Sequence, residues 1–201
     1  MEFLTLVMLI AVGAFTLKSK DERKRIALLG SHLGKYQIEK LMESLTEGYM
    51  RALGEQDPER RAQVWRQMNG PEIRLCEQFN RFAADFSRVE EADARVSKLA
   101  FPLPYAARLL PAATFDLRKL LLIHAQGITD AATNSLNRSD KSKAYTLSAE
   151  LLLMQHSCHW FCKSRAVASA RVMARHKTSY EQLLASVAPD TRKAYGALTG
   201  I

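Results

Sequence analysis

The uninterrupted apolar run from Phe3 to Leu17, followed at once by KSKDERKR, restricts this chain more than any other feature. The run contains no ionisable side chain, and Thr5 and Thr16 are its only polar ones. A helix without a hydrophilic face must be covered on every side, by lipid or by protein. At 1.5 Å per residue, Phe3 to Leu17 spans about 22 Å, short of a hydrocarbon core of about 30 Å. Lys18 and Lys20 extend the reach, because their aliphatic stems can lie along hydrocarbon while the ammonium groups stay among the headgroups. We therefore read residues 1–17 as a single-pass membrane anchor, with Phe3, Leu4, Leu6, Val7, Met8, Leu9, Ile10, Val12, Phe15 and Leu17 facing lipid.

Two other readings use the same residues. A cleaved signal peptide needs a positively charged leader and a small-residue cleavage site. Here the only charge ahead of the run is Glu2, and Ala11, Gly13 and Ala14 are followed by bulky Phe15 and Leu17. A soluble core or interface helix would need protein around its whole circumference. The flanking charges set the expected orientation. Lys18, Lys20, Arg23, Lys24 and Arg25 crowd the C-terminal side, and Lys and Arg are retained in the cytoplasm. The expectation is an outside N-terminus, a basic juxtamembrane collar over 18–35 and a cytoplasmic body over 36–201.

Composition supports a single folded body. Hydrophobic residues make up 47% and charged residues 25%, as in globular domains. Three cysteines, Cys76, Cys158 and Cys162, are an odd number and do not form a disulfide framework, in keeping with a reducing compartment. The net charge of +8 is concentrated late in the chain: Leu151 to Tyr180 contains no acid but holds Lys163, Arg165, Arg171, Arg175 and Lys177. Lys163, Arg171 and Arg175 join the collar as expected contacts with an anionic surface.

Apolar residues recur at helical spacing throughout the body, and the predicted fold class is all-α, an anchor helix followed by a bundle of about six helices. Gly30 and Gly34 end or bend the first helix. The second runs from Tyr36 to Gly54. Asp57-Pro58 caps and opens a third, which Asn69-Gly70 stops, and Pro71 starts a fourth whose stripe reaches Val89 and Val96. FPLPYAARLLP, residues 101–111, reads as an extended connection, because each proline removes a donor and disfavours helix before it. Thr114 or Asp116 caps the next helix, and Asn134 to Asp140 is a capping turn. A long helix over 141–176, with a break allowed, and two short ones led by Tyr180 and Pro189 complete the chain. No segment has strand periodicity.

The chemistry-bearing motifs are few. Gly30-x-x-x-Gly34-Lys35 lacks the spacing and hydroxyl of a phosphate loop. No Glu is followed three residues later by His, which excludes the carboxylate-histidine pattern of diiron bundles. His156-Ser-Cys-His-Trp-Phe-Cys162 looks metal-binding until it is wound into a helix, where Cys158 points away from His156. His159 and Cys162 could share an ion only if another helix, with His124 the obvious donor, completed the set. No catalytic residue, metal or cofactor is assigned, and an enzymatic role is not favoured. The expected function is a membrane-tethered scaffold or adaptor holding a protein partner. The alternatives are a soluble oligomeric bundle binding metal or haem through His124, His159 and Cys162, and a nucleic-acid-binding domain using the basic segment 163–177. The last lacks any helix-turn-helix or base-stacking pattern.

Overall fold

A computed structural model describes residues 2–100 and 103–200. Helix α1 runs from Glu2 to Leu33, α2 from Ile38 to Gly54 and α3 from Pro58 to Phe86. After α4 (Glu91–Ala94) come strand β1 (Arg95–Ser97), α5 (Ala106–Leu109), a 3₁₀ turn (Pro111–Ala113) and strand β2 (Thr114–Asp116). Then follow α6 (Leu117–Thr133), α7 (Asp140–Cys162), α8 (Arg165–His176), α9 (Tyr180–Ser186) and α10 (Pro189–Thr199). The class is all-α. The described residues form ten helices where spacing predicts about seven including the anchor; α4 and α5, of four residues each, are too short to leave a periodic signal.

The expected stop at Asn69-Gly70 is absent, and α3 passes through Pro71 without interruption. An internal proline removes one helix hydrogen bond and costs about 3 kcal/mol. That cost is offset because Val64, Leu75, Phe79, Phe82 and Phe86 are all buried along one stripe that stays in helical register across the proline. Asp57 caps α3 as expected, accepting from the amides of Glu59 and Arg60.

Strand structure, not foreseen from sequence, joins Arg95–Ser97 antiparallel to Thr114–Asp116, with Val96 opposite Phe115. Val96 thus belongs to a strand and not to the helical stripe. The ladder closes the base of the proline-rich segment, and Lys98 N–H donates to the Ala113 carbonyl just beyond it at 2.9 Å. That segment also contains α5, so it is not wholly extended; its first two residues, 101 and 102, lie outside the described residues. The break allowed in 141–176 falls after Cys162, where the buried Ser164 caps α8 by accepting from the Val167 amide.

The core sits where α2, α3, α6 and α7 meet, around Phe79, Phe82, Phe86, Leu120, Leu147 and Phe161. One charged cluster penetrates it. Buried Glu72 accepts from the Tyr49 hydroxyl at 2.6 Å and pairs with the Lys143 ammonium, tying α2, α3 and α7 together. Burial first, then the Glu72 charge, pushes the Tyr49 phenol above its usual range. Removing one partner of such a pair strands the other charge, a loss of about 3 kcal/mol or more. Lys143→Met should lower the stability measured by urea denaturation by about 3 kcal/mol, and adding Glu72→Leu should recover much of that loss. A single substitution with no effect would show that Glu72 is solvated.

Candidate membrane anchor and the groove at its base

Helix α1 is one rod of 32 residues, about 48 Å long, with two unlike halves. Its first half is uncovered: Phe3 is 79% exposed, Leu9 65% and Phe15 69%. None of its most apolar 18-residue window is buried against the protein, and α1 is long and apolar enough to cross a membrane. Its second half is docked. Leu29 is buried, His32 meets the Phe86 ring edge-on, and both His32 and Lys35 reach the Asp85 carboxylate at 3.0 and 2.8 Å. Those two hydrogen-bond partners hold the Asp85 carboxyl below the usual carboxylate range.

The collar between the halves performs two tasks. Arg25 turns inward: its guanidinium contacts Asp21 at 3.3 Å, donates to the carbonyls of Arg95 and Phe161, and lies over the Phe161 ring. Lys24 pairs with Asp93 at 2.6 Å, while Lys18 and Lys163 both approach Glu22. Lys20 and Arg23 are exposed and have no ion pair among the described residues. Of the cations expected to face an anionic surface, Arg25 is therefore a structural clamp. Arg171 is exposed and meets the His159 ring at 3.0 Å, and Arg175 is exposed in the last turn of α8.

Below the collar, α1, α2, α7 and α8 enclose a groove of about 380 Å³. Leu29, Leu33, Ile38 and Met42 form one wall, Met154, Cys158 and Cys162 the other, and Glu39, His159, Lys163 and Arg171 its polar rim. That volume lies within the range of small-ligand clefts, and it also suits one or two anchoring side chains of a partner. Methionines in such walls adapt to different shapes. No single segment betrays the groove, because four helices contribute to it; the only sequence signal is the pair Met42 and Met154 at core-facing helical positions.

The His/Cys cluster is divided between opposite faces of α7. His156 stacks on Tyr180 at 4.5 Å and bonds the Ser169 hydroxyl, whereas Cys158 and Cys162 face the groove as free thiols. Burial raises the Cys158 thiol to about 12 and Cys162 to about 11, so both remain protonated and weakly nucleophilic at neutral pH. His124 is fully enclosed, with Nε2 2.9 Å from the Ser157 oxygen. Because the Ser157 hydroxyl donates to the Leu153 carbonyl, His124 Nε2–H is the donor and does not activate that serine. Burial holds His124 near 3 and His156 near 4, both neutral. His124 thus bonds inside the core while His159 bonds Arg171 at the surface, and no group of three or more His, Cys, Asp or Glu able to hold a metal occurs among the described residues.

A second cavity, of about 500 Å³, lies between α6 and α10. At its wall Gly127 brings α6 so close that a Cβ would sit 2.4 Å from the Thr191 hydroxyl and 2.6 Å from buried Glu150 Oε2. Comparison of the chain with known protein families, curated proteins and solved structures gives no match.

Burial raises the Glu150 carboxyl to about 7, opposed by its bond from the Ala188 amide. Between the ordinary carboxylate value and 7 the folded chain holds a proton that the unfolded chain has released. Stability from this group is therefore full at low pH and falls as pH rises through 7, by about 3 kcal/mol in all. Glu150→Gln should remove that slope, gaining about 3 kcal/mol over the parent between pH 5 and pH 8 in urea unfolding. His124 and His156 act in the opposite sense below about 6.5, but equally in both proteins. An unchanged difference between the two pH values would rule out a buried carboxylic acid here.

Proposed function

We propose that this chain is a single-pass, membrane-tethered helical scaffold that holds a protein partner against the membrane, in the groove at the base of α1. The observation carrying this reading is the contrast within one helix, whose apolar half is uncovered while the following half packs into the body. Ten large apolar side chains there, at about 1.5–3 kcal/mol each for full removal from water, amount to about 15–30 kcal/mol. Collar cations add about 1 kcal/mol each. Lipid therefore dominates the attachment, and salt affects it little. The shortfall in length costs fractions of a kcal/mol per Å and is met by snorkelling lysines and local thinning. The collar favours an outside N-terminus and a cytoplasmic body.

An oligomer that buries the same surface between copies is the second reading, supported by the lack of any hydrophilic side on the run. Full-length protein should remain in the membrane fraction through high-salt and alkaline washes and retain residues 1–17 by mass spectrometry. Deleting residues 3–17 should leave weak, salt-sensitive membrane binding or none. Recovery of the untreated chain as a soluble oligomer would overturn the anchor. Met42→Arg, which places a charge in the groove wall, should leave membrane attachment unchanged while abolishing capture of the partner from detergent-solubilised membranes. Capture undiminished by that substitution would remove the groove from the proposal.

A further inference from the structure

We infer that the proline-rich segment between the two strands is a second membrane contact, dipping Leu103 and Leu109 into the same leaflet that the anchor enters. This rests on the anchor reading and goes beyond it, since an anchor alone needs no other lipid contact. The segment is pinned at its base and bare at its tip. The Arg95–Ser97 and Thr114–Asp116 ladder closes it, and Trp160, at the α7 end, donates to the Ser97 carbonyl at 2.8 Å while meeting the Phe115 ring edge-on. In α5, Ala106 and Ala107 turn inward, leaving Leu109 67% exposed, with Leu103 and Leu110 exposed beside it. Three exposed leucines on one short connection are a patch that water alone does not favour.

Position selects the occupant. Leu103 and Pro104 line one cleft with Lys18, the first residue beyond the apolar run, and with Arg25. Tyr105 and Arg108 line the next cleft with Lys24, and Asp93 receives both Lys24 and Arg108, at 2.6 and 3.7 Å. Lys18 to Lys24 is about 9 Å along the helix axis. Amphipathic elements on a bilayer bury their apolar faces about 5–10 Å into the headgroup and acyl boundary, so the segment lies within the zone where such contacts form. The arginine resting over the Tyr105 ring supplies the polar edge, and Lys20 and Arg23 supply positive charge for anionic headgroups. Lipid fits this continuity of apolar run, basic collar and leucine tip, whereas a protein partner would meet a bilayer edge there.

The test uses the full chain with Cys162→Ala, since Cys76 and Cys158 are buried and Cys162 is not fully so. Single cysteines replacing Phe15, Leu103, Leu109 or Leu136 carry a nitroxide, and the proteins are reconstituted into phosphatidylcholine–phosphatidylglycerol vesicles. Leu136, 68% exposed, precedes α7, whose length of 23 residues sets it about 35 Å from the Cys162 end. Collision with oxygen, which concentrates in lipid, is compared with collision with a water-soluble nickel chelate. Labels at 103 and 109 should shift toward oxygen as the label at 15 does, while the label at 136 stays with nickel. Labels at 103 and 109 that behave like 136 while 15 reports lipid would overturn the second contact and leave the anchor standing. A label at 15 that reports water would remove the anchor and the second contact with it.

Discussion

One guanidinium couples the exposed half of α1 to everything behind it. Arg25 lies where the apolar run has ended and the body has begun, and its donors are divided between Asp21 on its own helix and the carbonyls of Arg95 and Phe161 on two other elements. Charge-assisted bonds of this kind are about twice as strong as neutral ones, and the Phe161 ring beneath the cation adds to them. A lysine could not make the same set, because its ammonium lacks the planar fork that serves several acceptors at once. The clamp, with buried Leu29 one turn on, keeps the helix continuous from its free end into the core.

Continuity of the helix decides how the body is presented. A flexible linker would let the domain tumble relative to the apolar run, but a rod clamped at its middle fixes the direction of that run relative to α3 and α7. The groove below the collar and the leucine-bearing connection beside it then hold constant distances from the base of the apolar run. The interior polar groups bear instead on rigidity. Tyr180 donates to the Tyr195 hydroxyl, His124 to Ser157, and Glu150 accepts the Ala188 amide, so α6, α7, α9 and α10 are joined by buried hydrogen bonds as well as by packing.

How far the chain could be read in advance is seen best at its prolines and strands. Asp57-Pro58 and Pro189 open helices as their local chemistry predicts, because capping and the missing proline donor act within one turn. Pro71 does not, and the reason is in the sequence too: Val64, Leu75, Phe79 and Phe82 keep one helical register across it, a signal that outweighs the local breaker. The ladder was not legible, since three residues carry no alternation and the pairing joins segments separated by the whole proline-rich connection. His124 lies in the core, bonded to Ser157 on another helix, a partner that spacing cannot name.

What the sequence determined by itself are the properties that depend on near neighbours: the helical class, most caps, and an N-terminal run with no hydrophilic side. Tertiary structure alone decided which collar cations face water, since Lys24 and Arg25 are adjacent and carry the same charge, yet Lys24 stays exposed while Arg25 turns in to the carbonyls of Arg95 and Phe161. It also decided which partners His156 finds and the assembly of a groove from four helices. Local propensity acts over one helical turn, whereas a cleft or an inward-turned charge is set by surfaces that meet only after the chain has folded.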